Sequence, residues 1–205
     1  MAIGPATARQ SGDWGIFSDN NMFVVSKKPK EYLKQGPTGC NVFSVKGILS
    51  AYGKDDGRHP FAYYPLSIFP FVTTPFRWVK ILRSYGFDAE WRYARELSDE
   101  QKLKILKDLL RRDTPVMMHI GNGYRGRGIW SKIRWQLISH WITLWGFDDE
   151  KGVFYIYDSC VPLRYHDKSI PVGNVQRTYQ QVLRDWGGGP RWWWRYGYIK
   201  ILDHM

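Results

Sequence analysis

KQGPTGCNVFSVKGILSAYG, residues Lys34 to Gly53, is the stretch on which the reading of this sequence turns. Gln35 stands five positions ahead of Cys40, turn formers fill the gap, and an apolar-periodic segment begins directly after the cysteine. The pattern predicts a helix over roughly Asn41 to Tyr52, closed by Gly53 in the C′ role that glycine fills without a Cβ penalty. Cys40 therefore falls at a helix start. A structural cysteine gains nothing from that place. A nucleophile does, because the helix dipole and the unpaired first N–H groups favour thiolate. Taken alone, such a cysteine is more often a small hydrophobe, so the rest of the chain has to decide.

Upstream, residues 1–21 read as an irregular, turn-rich arm, and Asn21 to Lys27 (NMFVVSK) as a short strand. Downstream, the proline- and aromatic-rich residues 54–72 read as a packed loop. A second helix follows, with Thr74 as N-cap, Pro75 at the first helical position and Gly86 as the stop. Ala89 to Ala94 (AEWRYA) is a strand candidate. A third helix opens on the capping box Ser98/Gln101, ahead of Leu103, Leu106 and Leu110. Thr114 to Gly121 (TPVMMHIG) reads as a buried strand. The segments Ser139–Asp149, Gly152–Ser159 and Arg191–Leu202 also read as strands, and Val175–Gly189 reads as a helix with a triple-glycine exit. Helices dominate the first half and antiparallel strands the second, which is an α+β pattern. One domain over residues 22–205 accommodates all of it.

The totals agree with a globular chain. Its 205 residues are 43% hydrophobic and 24% charged, enough to bury a core without covalent staples. Aromatics reach 17%, with 11 tryptophans, a composition that builds cores, clefts and interfaces alike. The formal net charge of +11 points to an anionic partner or surface. The basic residues are spread along the chain, so nucleic acid is not the expected partner. Two cysteines do not make a disulfide framework. No apolar run reaches the roughly 18 residues of a membrane span, and the first 15 residues hold no apolar signal core. The expectation is a chain made in the cytosol, with export by a signal-independent secretion system as the alternative.

Three residues carry the chemistry. Cys40 is at a helix start, His140 at the head of one strand and Asp158 at the end of the next. Only the turn GFDDEKG separates the two strands, so a hairpin would bring His140 and Asp158 to the same edge. An imidazole beside a thiol takes its proton and returns it to the leaving group. A carboxylate on the other ring nitrogen fixes tautomer and orientation. Gln35 is then placed to donate its amide N–H to an oxyanion, with the Cys40 backbone N–H as the second donor.

These segments, from the Gln35/Cys40 pair through FRWVKILRSYGFDAE, LKDLLRRDTPVMMHI, SHWITLWGFDD, FYIYDS and YQQVLRDWGGG, resemble the bacteriocin-processing peptidase family. Its members are papain-like cysteine peptidases, and those coupled to transporters cut leader peptides after a double glycine. The resemblance covers roughly residues 33–200. It implies a papain-like fold, a helical N-terminal half packed on an antiparallel sheet, with Cys40 as nucleophile, His140 as base, Asp158 as orienting acid and Gln35 as oxyanion-hole glutamine. It implies no metal or organic cofactor. Four positions depart from the family's usual pattern. Gln35 is five rather than six positions before the cysteine, and Asn41, Ser139 and Ser159 stand where glycine, glycine and proline are common. With all three triad side chains present, a change of substrate is expected rather than a loss of activity.

Asn41, Tyr124, Trp130 and Trp141 are the candidates for substrate contact. Tyr124 and Trp130 belong to a basic aromatic segment, residues 121–136, that reads either as a lip for an anionic substrate or as a solvated insertion. Cys160, two positions past Asp158, is expected to be a packing residue more than a functional thiol. His119 falls in the buried-strand candidate; no histidine or cysteine spacing is that of a zinc site. The reading is a cysteine peptidase acting on a peptide or protein through an acyl-enzyme, in bacterial context a leader-peptide protease, a tailoring enzyme or a secreted effector toxin. An acyltransferase or amidase on the same scaffold is the first alternative, and a binding module using residues 121–136 the second.

Overall fold

The computed structural model describes residues 21–69, 74–121 and 129–203. Tyr124 and nearly all of the N-terminal arm lie outside the described residues, as does the side chain of Trp130.

After the short strand β1 (Met22–Val24), helix α1 spans Cys40–Ala51, starting one residue before the expected Asn41. Every residue of α1 from Asn41 to Ser50 is buried, so this helix is the centre of the molecule rather than an amphipathic cover. Lys46 survives there because its ammonium meets Asp55 at 2.9 Å and the Arg58 carbonyl at 2.8 Å. The proline-rich loop contains two single 3-10 turns, Pro60–Ala62 and Pro65–Ile68. Helix α2 (Pro75–Ser84) begins at proline after Thr74, although the threonine side chain makes no capping bond. Strand β2 (Phe87–Tyr93) leads to α3 (Asp99–Arg111), whose Ser98/Gln101 capping box forms in both directions.

The second half is β3 (Val116–Gly121), α4 (Ile129–Leu137), β4 (Ser139–Asp148), β5 (Val153–Tyr157), β6 (Val175–Thr178), α5 (Tyr179–Trp186) and β7 (Gly197–Asp203). The seven strands among the described residues form one antiparallel sheet, six of them in the order β2-β7-β3-β4-β5-β6. β1 continues the β3 side of β4, pairing Met22–Val24 with Asp148–Gly146. The fold is α+β. Trp78, Trp145 and Trp186 are among its largest fully buried side chains, which accounts for part of the aromatic excess. No helix among the described residues is long and apolar enough to cross a membrane.

Three segments differ from expectation. Within residues 121–136, read as a lip or a solvated insertion, the part from Ile129 onward belongs to helix α4. The helix expected from Val175 begins at Tyr179, because Val175–Thr178 pairs with β5 first. The Thr178/Gln181 capping box marks that boundary in the sequence. The last strand starts at Gly197 rather than Arg191, since Trp192–Trp194 forms a 3-10 turn and Tyr196 takes φ 57°.

The hairpin β4–β5 contains the feature that matters most for function. Its register shifts by one residue between Leu144 and Gly146, setting Thr143 opposite Tyr157 beyond the shift and Phe147 opposite Phe154 before it. Continued one step, the shifted register sets Asp158 opposite Ile142, on the face that His140 shares by alternation. Without the extra residue Asp158 would oppose Thr143 and face away, because a one-residue slip flips a strand's side chains.

His119, in β3, is fully buried between the rings of Trp141 and Trp194. Its Nε2 meets Ser139 Oγ at 2.7 Å, while Nδ1 has no hydrogen-bond partner among the described residues. Burial first, then the positive charge of His140 and Arg191, pushes its pKa down to about 3. A histidine held neutral in the fold contributes stability above its unfolded pKa of about 6.5 that is lost as pH falls toward the folded value. His119→Phe, which keeps the ring but cannot titrate, is therefore expected to gain about 2–3 kcal/mol on the wild type between pH 6.5 and 4.5. Chemical denaturation at both pH values measures this, and parallel profiles would contradict it.

Candidate active site

Gly39 precedes Cys40 at φ 100°, and a Cβ there would lie 2.7 Å from the Phe61 ring. This left-handed residue aims the chain into α1, and no side chain caps the helix. Cys40 is thus half-buried at an uncapped helix N-terminus, where backbone N–H groups lack helical partners.

His140 is 2% exposed at the head of β4. Its Nε2 lies 2.8 Å from Asp158 Oδ1, which leaves Nδ1 as the other nitrogen of the ring. Burial alone would lower the imidazole pKa; the Asp158 carboxylate, and after it the Cys40 thiol through charge and hydrogen bonding, reverse this and hold it well above its ordinary value. His140 therefore lies against both Asp158 and Cys40.

Asp158 is completely buried, and its position is fixed from every side. Oδ1 accepts the Cys160 backbone N–H at 2.9 Å in addition to His140. Oδ2 accepts a hydrogen bond from Arg177 Nη2. Asn174 grips the backbone of the same residue, accepting its N–H at 2.8 Å and donating Nδ2 to its carbonyl at 2.9 Å. Burial would raise the carboxyl pKa, but His140 and Arg177 outweigh it and hold it well below the usual carboxylate range. Arg177 is itself buried and lies 3.6 Å from Asp185 of α5, a second buried carboxylate.

Gln35, 4% exposed, is tied to the residue after Asp158. Its N–H donates to the Ser159 carbonyl at 2.9 Å and its Oε1 accepts the Ser159 hydroxyl at 2.5 Å. The glutamine thereby joins the same loop as the acid.

Among the substrate-contact candidates, Asn41 is buried with Oδ1 accepting the Val42 N–H at 2.7 Å. Trp141 is 2% exposed between Trp91 and His119, so it forms part of the core beneath the site, not open surface. Tyr124 and the Trp130 side chain fall outside the described residues. Cys160 is a free, half-buried thiol whose pKa burial pushes up. Its ligand atom lies within 4.8 Å of those of His140 and Asp158, a donor set of metal-binding type. Both Asp158 oxygens already accept hydrogen bonds, one of them from a cation, which opposes a second positive charge there.

Arg177, Asn174, Asp185 and Ser159 went unread in the sequence. Only Ser159 carried a signal, as a departure from proline. Arg177 was hidden inside the expected helix; once it is placed on β6 opposite Phe154, alternation sets it on the face of Asp158.

Known proteins share the fold and the family of this chain. No curated protein matches the chain. The peptidase domain of Streptococcus ComA, a bifunctional ABC transporter of a quorum-sensing pathway, superposes with a TM-score of 0.51 at 16% identity, over 85% of this chain and 100% of that one. A C39-like peptidase from Bacillus anthracis gives 0.55 at 11% identity, over 89% and 98%. A double glycine motif protease from an AMS/PCAT transporter, solved with its leader peptide, gives 0.49 at 16% identity, over 89% and 99%. The likeness to the ComA peptidase domain and to the Bacillus anthracis peptidase is, at such identities, one of fold. The family itself is shown by sequence: the model of the Peptidase_C39 like family matches residues 27–184, well over half of the chain, which therefore belongs to that family of cysteine peptidases.

Proposed function

We propose that the chain cleaves an amide bond in a peptide or protein through an acyl-enzyme on Cys40, with His140 as acid–base and Asp158 as its orienting carboxylate. The observation that carries this reading is the buried imidazole bonded to Asp158 through Nε2 and interacting with the Cys40 thiol. The raised His140 pKa favours a proton on the ring, so the imidazole is suited to take the Cys40 proton as the sulfur attacks. The Cys40 sulfur attacks the scissile carbonyl, a C–S bond forms, and the carbonyl π pair moves to oxygen. The Gln35 amide and the Cys40 backbone N–H receive that oxyanion. On collapse the C–N bond breaks and the imidazolium proton goes to the departing amine. Water, deprotonated by His140, then hydrolyses the thioester and restores the thiol.

Arg177 is a positioning residue in this scheme. It lies against Asp158 and near Asp185 at once, so that the acid is held toward His140 while both carboxylates stay buried.

Digestion of a proteome-derived peptide library, read by mass spectrometry, tests the chemistry. The wild type is expected to yield a reproducible set of new termini, Cys40→Ala none, and His140→Ala at least about 10²-fold less. Cleavage that survives Cys40→Ala would refute the mechanism.

Arg177→Met should remove the cation shared by two buried carboxylates, and losing one partner of a buried pair costs about 3–5 kcal/mol. For a chain of this size that corresponds to a fall in Tm of about 10 °C. An unchanged thermal midpoint would show that Arg177 does not neutralise this cluster.

A further inference from the structure

Ser159 follows the buried acid directly and is 1% exposed, so its hydroxyl cannot be serving solvent. It makes one side-chain contact of note, donating to Gln35 Oε1 at 2.5 Å, while its carbonyl accepts the Gln35 N–H at 2.9 Å. A primary amide has an acceptor end and a donor end. With the backbone N–H and Oε1 both held by the same residue, the amide plane has one orientation, and its NH₂ end is turned away from Ser159.

We propose that Ser159 is a positioning residue that fixes the Gln35 amide with its NH₂ group free to serve the oxyanion. The inference rests on the cysteine peptidase reading given above and assigns a role to a residue outside the Cys40–His140–Asp158 set. The base on which Ser159 stands is rigid, because the Asn174 side chain clamps both backbone groups of Asp158 next to it. Asp158 and Ser159 are adjacent, so one short loop orients the base through its first residue and the oxyanion donor through its second. In a buried, low-dielectric setting this hydroxyl–carbonyl bond has no water to replace it. Losing it frees the amide to rotate, which places a carbonyl oxygen against the developing oxyanion in part of the population.

The role separates two reactions of the same thiol. Acylation of Cys40 by p-nitrophenyl acetate passes through an oxyanion, whereas alkylation by iodoacetamide is a direct displacement and does not. Both rates are read by mass at Cys40 in a Cys160→Ser background. Removing an oxyanion donor costs roughly 10²- to 10³-fold; Ser159→Ala, which loosens the donor and leaves it in place, is expected to slow acylation by about 10- to 100-fold. Its alkylation rate and pH profile should stay within about twofold of the parent. Gln35→Ala should show the acylation defect as well, and adding Ser159→Ala to it should slow acylation no further, the signature of one shared interaction.

Acylation by Ser159→Ala at the parent rate would overturn the assignment. So would a parallel loss of acylation and alkylation, which marks a general disturbance of the loop, or additive defects in the double variant. If the parent itself acylates and alkylates only as an ordinary thiol, the hydrolase reading fails, and this role with it.

Discussion

The hydrogen bond between His140 Nε2 and Asp158 Oδ1 is the interaction on which the rest of the site depends, and it exists because a strand pair is out of step by one residue. The shift between Leu144 and Gly146 brings Asp158 onto the face of His140. Gly146 makes room for it, since a Cβ there would lie 2.5 Å from the Phe23 carbonyl of β1. The short strand β1 is thereby part of the site's support, although it lies at the opposite end of β4 from the chemistry.

A second constraint is electrostatic. His140, Asp158, Arg177 and Asp185 are all buried, and each would be costly if left alone. Arranged in sequence they compensate one another: imidazole against Asp158, Asp158 against Arg177, Arg177 toward Asp185, and Asp185 against Arg184 at 2.9 Å at the surface. The chain of alternating charge runs from the sheet to α5. It explains why the C-terminal helix belongs to the functional unit even though it contributes no reacting group. The neutral His119 lies beside this line of charge, and its contact with Ser139 holds the residue preceding His140.

Much of this was legible from Lys34–Gly53 outward. Cys40, His140 and Asp158 stood out because each falls at the end of an element, and short connections fix which ends meet. The Ser98/Gln101 box and the buried strands were readable for the same reason: their signals are local. What escaped was non-local or parity-dependent. A register shift leaves little trace in sequence beyond a glycine inside a strand, here Gly146. Without β6 as a separate strand, Arg177 looked like a helical surface residue. The turn at Trp192–Trp194 was read as strand because a run of aromatics has strand propensity, while Tyr196, at positive φ, packs against Trp186 of α5. The serines at 139 and 159 were noticed only as departures from a pattern. Their hydroxyls each bond a side chain of the site's surroundings, His119 and Gln35 respectively.

The most direct test of the central claim, that thiol, imidazole and carboxylate work as one protonic unit, is the pH profile of Cys40 alkylation by iodoacetamide. It is best measured in a Cys160→Ser background, comparing the intact site with His140→Ala and Asp158→Asn. An ordinary thiol has a pKa near 8.5, whereas paired reactive cysteines fall to roughly 3.5–7.5. The expected result is alkylation that stays fast to about pH 6 in the intact site and shifts toward the ordinary thiol range in both variants. Profiles that follow an ordinary thiol in all three proteins would contradict it.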